Sequence, residues 1–321
     1  MLLYNLYNHY PNSGLPVLRY ALILLLFVLP LNVLKATEAT TPAAKPLVVV
    51  SLQPLALLVS DLAGDTIDLR LLNQAGGDPH HMQLSFSDRQ WLERADLMLW
   101  VGPEMERPMT KLAALKAQRQ PGSVLTFSAL SGLRWPEDAE LMSEEGEPLI
   151  EDDHHDHHHS DNHVWLNPKN SQILLSALAQ ELSRLLPDSE ALFNQRLVKL
   201  EQNLVRWQTE NREAFINSAV EYSVYHPGYD HFNMGLGINQ LAVVQSHEGQ
   251  KPSARQLYKL SQQLPEGSCL LVEQNYQQAG QSVAEHLTLN LQVVDILGRE
   301  AEGYLGLMDD LVGRLQPCVK L

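Results

Sequence analysis

The sequence predicts an α/β protein built as four βα units, one long helix and four further units. Three observations carry this. Short runs such as LVVVSL (47–52) and DLMLWV (96–101) are apolar at every position, as strands covered on both faces of a parallel sheet must be. They alternate with helix-spaced segments, the pattern of right-handed βαβ crossovers. The stretch after Pro187 then runs without Gly or Pro to about Ser218, long for a globular helix.

Each element has its own signal. Arg19 precedes an apolar run, Ala21 to Leu34, that contains Pro30 and is short of the roughly 20 residues a membrane span needs. Residues 1–36 therefore read as a secretory signal, with cleavage near Ala36 or Ala39; an uncleaved anchor helix is the alternative. No cysteine follows the run, which excludes a lipid anchor there, and the expected product is periplasmic. Residues 37–45 read as a leader to the mature domain. An N-terminal lobe is expected over 46–187. Its strands are Leu47–Leu52, Thr66–Leu71, Asp96–Val101 and Ser123–Phe127, and its helices are Pro54–Ala63, Ser87–Ala95 with Ser87 as N-cap, Met105–Arg119 and Pro168–Leu186.

The linking helix is expected over 188–218, with Phe193, Leu197, Leu200, Leu204 and Trp207 as one apolar stripe. The second lobe, 219–321, offers strands at Glu221–His226, Gln240–Gln245, Ser268–Glu273 and Leu291–Leu297. Helical segments fall at Gly228–Met234, Ser253–Leu264, Gln278–Thr288 and Asp309–Leu315.

Composition narrows the function. The formal net charge of −15 disfavours nucleic acid, whose phosphates need a basic face, and suits attraction of cations. Between Trp135 and Pro168 there is no Lys or Arg, yet there are eleven Asp or Glu. Within this acidic loop, 137–161, lie His154, His155, His157, His158 and His159. A solvated polar loop would have similar polarity, but imidazoles among aspartates read as a loose metal collector. His163 is different, standing alone against Val164 and Trp165 at the loop's end. The two cysteines, Cys269 and Cys318, suggest one disulfide in an oxidising compartment, with two buried thiols as the alternative.

The candidate ligands fall at or beyond the carboxyl ends of strands, where open α/β sheets bind ligands. His80 follows the second strand, His163 the fourth and His226 the fifth; Asp295 lies near the end of the eighth. Three imidazoles and one carboxylate can fill a tetrahedral zinc shell, whereas manganese or magnesium wants more oxygen. His81 competes with His80. Asp295 before an apolar turn can also cap a helix. His231, His247 and His286 read as ordinary polar positions, with His231 the strongest exception.

Several stretches, in this order, resemble the periplasmic zinc-binding component of zinc-uptake ABC transporters, the ZnuA type. They are GGDPHHMQLSFSD, ADLMLWVGPEME, the His-rich loop leading into HVWLNP, YHPGYDHF, KPSARQL and VEQNY, within about residues 46–321. The resemblance implies two (βα)4 lobes with central parallel sheets joined by one rigid helix, with limited lobe motion. It implies Zn2+ as cargo, His80, His163 and His226 as ligands, and Asp295 as a fourth position that relatives fill variously, with water or another carboxylate in places. It also implies a Cys269–Cys318 disulfide, a monomer, and a membrane permease with a cytoplasmic ATPase as partner. Asn167 departs from the aspartate common before that proline, at a position not expected to bind metal.

Other functions are weighed against this. Manganese or another divalent ion, or a metal-dependent adhesin, would use the same site. A zinc hydrolase would need an open metal position beside a base. There is no HExxH, and Glu273, the one candidate base, sits in a strand that reads as buried. No GxxxxGK[ST] is present, so nothing points to ATP hydrolysis by this chain.

Overall fold

The first sheet has the order β2-β1-β3-β4, all parallel, with β1 at Leu47–Val50, β2 at Asp68–Leu71, β3 at Leu97–Trp100 and β4 at Val124–Thr126. This is a computed structural model, and it describes residues 44–72, 79–136, 161–216, 218–245 and 251–320. The secretory signal expected over 1–36, the tract from His154 to His159, and His247 lie outside the described residues. Among the described residues no helix is long and apolar enough to cross a membrane.

Every residue of β3 is buried, as are Val48 to Val50 of β1, which explains their unbroken apolar runs. Helix α1, Gln53–Ala63, buries eight of its eleven residues because it lies between the first sheet and elements of the second lobe. Helix α2 spans Phe86–Arg94. Its N-cap is Ser85 rather than Ser87: the Ser85 hydroxyl accepts from Asp88 N, and Asp88 reaches back to Ser85 N in a complete capping box. Helix α3, Thr110–Arg119, starts later than its pattern suggested because a 3-10 turn, Arg107–Met109, precedes it.

Helix α4, Pro168–Leu185, has Asn167 as its N-cap, accepting from Lys169 N, and Pro at N1. Helix α5, Glu190–Ile216, has 27 residues and is about 40 Å long. It holds elements on both sides. Arg196 donates to the carbonyls of Leu62 and Ala63 at the end of α1. Trp207 Nε1 donates to Asp309, and Gln208 to the Gly235 carbonyl, both in the second lobe.

The second lobe opens with a short β5, Ala219–Val220, followed by β6, Tyr222–Val224, and helix α6, Asp230–Leu236. Helix α7 spans Ala254–Gln263, β7 Cys269–Glu273, helix α8 Gln277–Leu287, β8 Asn290–Val294 and helix α9 Gly303–Leu315. Its parallel sheet runs β6-β7-β8. The strand expected over Gln240–Gln245 is reduced to one parallel bridge, Val224↔Val243, although its backbone still bonds to Tyr222, Val224 and Tyr225. A final strand that the sequence reading did not include, β9 at Val319–Lys320, pairs antiparallel with β5. Beside it the Cys269–Cys318 disulfide ties β7 to the chain's end across 49 positions.

Alternation along β7 divides the second lobe's core. Cys269 and Leu271 face the large cluster that also holds β1, β3, Trp165 and Tyr304. Leu270 and Val272 face a smaller outer cluster with Leu260 and Val283. The two lobes therefore share one core along their inner faces. Asp61 of α1 accepts from Tyr304 N, and Trp165 Nε1 donates to the Ile296 carbonyl, fastening the seam.

Candidate metal centre

Three histidines meet at the carboxyl ends of the two sheets. His80 is carried by a 3-10 turn, Pro79–His81; His163 precedes another, Val164–Leu166; His226 lies just beyond β6. Their ring centroids are 5.5 Å (80–163), 6.0 Å (80–226) and 5.4 Å (163–226) apart. One nitrogen from each lies within 4.8 Å of the others. Tetrahedral zinc with bonds near 2.0 Å sets such nitrogens roughly 3.3 Å apart, so side-chain torsions suffice to close them on an ion. His163 and His226 are 3% and 4% exposed; His80 is half-buried at the mouth.

The ring of His163 is fixed from behind by Asp161. Asp161 Oδ1 accepts from His163 N at 2.9 Å and faces His163 Nδ1 at 2.7 Å. A carboxylate only accepts, so Nδ1 carries the proton and Nε2 is the nitrogen turned to an ion. Burial opposes the charge on Asp161, but electrostatic attraction to the His163 ring and the bonds from it, with His231 behind, hold its pKa well below the usual carboxylate range. Burial pushes the His163 pKa down despite Asp161, and His226 and His80 add to that, so the ring is kept in the neutral form that a metal needs. Gly228 completes the seat: a Cβ there would come within 2.6 Å of the His163 ring.

Asp161 also reaches into the second lobe, where its Oδ2 accepts from Asp230 N at 2.9 Å. Its carbonyl takes a bond from His231 Nε2 at 2.8 Å, and His231 Nδ1 faces the Asn170 amide at 3.3 Å. A carbonyl cannot donate, so His231 is protonated on Nε2 and accepts at Nδ1. Both its nitrogens are committed to the scaffold. His81 is exposed at the rim and His286 on α8 is also exposed; neither joins the three.

The two carboxylates beside the cluster differ. Both line the pocket of the three histidines and neither joins their group, but Asp295 is already engaged. Its oxygens are taken by Leu297 N at 3.1 Å, Arg299 N at 2.7 Å and the Arg299 guanidinium at 2.9 Å, the capping role open to it from sequence. Glu273 closes β7, 6% exposed, with Oε1 3.6 Å from His226 Nδ1 and 2.7 Å from the hydroxyl of Tyr229. Burial, with Glu273 alongside, raises the Tyr229 pKa and keeps that hydroxyl a donor. His226 stacks on Tyr276.

Sequence reading did not single out Asp161, Tyr229 or Tyr276. Asp161 did leave a local signal, because an aspartate two residues before a buried position commonly accepts that residue's backbone N–H. Tyr229 and Tyr276 left none, since their roles depend on the pairing of distant segments.

A seam of shared core, a long helix bracing both lobes and imidazoles contributed from each side are the architecture of a metal-capturing solute-binding protein. The chain belongs to the ZnuA family, described as zinc-uptake complex component A, periplasmic, whose family model matches residues 48–318. That family comprises binding components of uptake systems and not enzymes.

Among curated proteins the chain is similar to the high-affinity zinc uptake system protein ZnuA of Yersinia pestis, 26% identical over 295 residues, covering 86% of this chain and 92% of that one. The same-named protein of Paracoccus denitrificans (strain Pd 1222) is 29% identical over 253 residues, covering 73% and 78%. Among solved structures, a crystal structure of ZnuA superposes with TM-score 0.68 at 19% identity, covering 86% of this chain and all (100%) of that one. The periplasmic zinc-binding protein TroA of Treponema pallidum gives TM-score 0.66 at 19% identity, covering 86% and 99%. At that identity the structures speak to the fold alone.

Proposed function

We infer that this chain captures Zn2+ outside the cytoplasm on His80, His163 and His226 and delivers it to an ABC permease driven by a cytoplasmic ATPase. The observation that supports this best is the convergence of three imidazole nitrogens within 4.8 Å in a member of a zinc-uptake family. Zinc is borderline-soft and is well served by imidazole, while manganese favours oxygen, so the donor set argues against a manganese carrier. The relatives named above are zinc-uptake proteins, which favours transport over adhesion for this chain. The periplasm, removal of residues 1–36 and action as a monomer belong to this reading. So does a collecting role for His154, His155, His157, His158 and His159.

The test is metal content. The protein, with Glu151–Ser160 deleted, is stripped, offered equal Zn2+ and Mn2+, desalted and counted for ions. Asp161 must stay in such a deletion, because it seats His163. One zinc per chain with negligible manganese is expected. His163→Ala or His226→Ala should weaken zinc by more than about 100-fold, since loss of even an outer-shell partner costs about 10–100-fold. Preference for manganese, or no retained metal, would sink the reading.

A further inference from the structure

Three neutral imidazoles bring no charge of their own to set against a dication, and the Asp161 carboxylate stands behind the His163 ring, so a counter-charge on the ion's own side must come from elsewhere. Resemblance points to Asp295 for that purpose. The structure gives Asp295 another occupation: both oxygens are bound by its own turn and by Arg299.

Glu273 is placed differently. Positions 269, 271 and 273 share one face of β7. Cys269 and Leu271 on that face belong to the core between the lobes, so Glu273 points toward the seam where the histidines meet. Its Oε1 accepts from the Tyr229 hydroxyl at 2.7 Å, and Tyr229 is wholly buried. Its Oε2 is also buried, and among the described residues it has no hydrogen-bond partner. It lies in the wall of the pocket that His80, His163 and His226 line. A buried carboxylate oxygen left without a partner is costly, and its cost is offset where a cation sits beside it.

We propose that Glu273, and not Asp295, is the carboxylate that this site sets against the bound ion: Tyr229 holds Oε1, and Oε2 is turned to the metal. This rests on reading the three-histidine cluster as the zinc site. It gives the cleft one negative charge on a single free oxygen, a donor set of nitrogens plus one oxygen suited to Zn2+ or Co2+ and poor for Mn2+.

The experiment is chelator-competition titration of Zn2+ on the full chain, with the competitor strong enough to report only the tight site. Glu273→Gln is nearly isosteric, and its amide oxygen can still accept from Tyr229, so it removes charge without removing that bond. It should weaken zinc by about 10-fold or more, while Asp295→Asn stays within about threefold of the parent. The Co2+ form supplies a second readout: its visible spectrum should change in Glu273→Gln and be unchanged in Asp295→Asn. Glu273→Gln binding like the parent, or Asp295→Asn losing as much as Glu273→Gln, overturns the proposal. If Glu273→Gln does not melt cooperatively, Glu273→Asp takes its place, withdrawing the carboxylate by one methylene; unchanged affinity and spectrum there also overturn it. His163→Ala separates the two levels of inference. If that variant keeps parental affinity, the cluster itself is not the zinc site; if it loses zinc while Glu273→Gln does not, only the role of Glu273 fails.

Discussion

The two lobes repeat one plan and secure it by different means. The first carries a four-stranded parallel sheet whose inner strands are buried at every position but Leu47. Its turn after β3 is closed from inside by Glu106, which accepts from Val101 N and Gly102 N. It seats His163 through a 2.7 Å contact with Asp161. The second lobe has a three-stranded parallel sheet with one single bridge beside it, a two-stranded antiparallel pair, a smaller outer cluster and a disulfide. It seats His226 beside a carboxylate at 3.6 Å whose other oxygen has no partner among the described residues. The lesson is that a closed hydrogen-bond shell aims the His163 ring, while the lobe with the smaller parallel sheet relies on a covalent tie and leaves a carboxylate oxygen near His226 without a partner among the described residues.

This contrast can be broken most forcefully at the disulfide. Chain-entropy arithmetic for a loop of about 50 residues gives a ceiling of roughly 4 kcal/mol. Replacing Cys269 and Cys318 with serine should lower stability by up to about that much and raise hydrogen exchange in β7 and β9 more than in β1 and β3. Equal protection changes in both lobes would show that the tie serves the whole molecule and not the second lobe.

Glu106 tests the first lobe. Burial pushes its pKa up from 4.5 to about 7, against the pull of the Ser51 hydroxyl and of the N–H groups of Val101 and Gly102. The folded state therefore holds more protons than the unfolded state between these values. Stability is full below pH 4.5 and falls as pH rises through about 7. The loss at this one group is about 3 kcal/mol. Glu106→Gln cannot ionise, so in zinc-free protein its melting temperature relative to the parent should climb between about pH 5 and about pH 8. A constant difference across that range would remove Glu106 from the account.

The smallest expected effect sharpens the comparison at the site. Asp161→Asn can keep an oxygen for His163 N and Nδ1–H, but it gives up the acceptor for Asp230 N and the negative charge that strengthens Nε2 as a donor to an ion. Zinc affinity should fall by about 10–100-fold with little change in the melting temperature of the zinc-free protein. Loss of folding in place of affinity would make Asp161 a structural latch between the lobes, through Asp230 N, and nothing more.

Much of this architecture was legible before any coordinates. Apolar runs marked β1, β3 and β7 because strands buried on both faces have no polar side to show. The spine helix was readable from its uninterrupted stripe, and His80, His163 and His226 from their places at strand ends. The errors have local causes. Ser87 reads as an N-cap because it precedes helix-forming residues, and only the reciprocal bond between Ser85 and Asp88 moves the cap two residues earlier. The strand at Gln240–Gln245 has the right pattern but lies at a sheet edge, where pairing on one side leaves a single bridge. The strand β9 is too short to carry a pattern of its own.

By itself, then, the sequence determined the alternation of strands and helices around one long helix, the histidines placed at or beyond strand ends, and which strands would be buried, since these follow from periodicity and from the chemistry of each side chain. Tertiary structure alone decided how the two carboxylates beside the histidines are occupied. Asp295 and Glu273 both close strands beside the cleft. The difference between them is made by Arg299 and the turn at one and by Tyr229 at the other, and hydrogen bonds between segments far apart in the chain leave no periodic trace in the sequence.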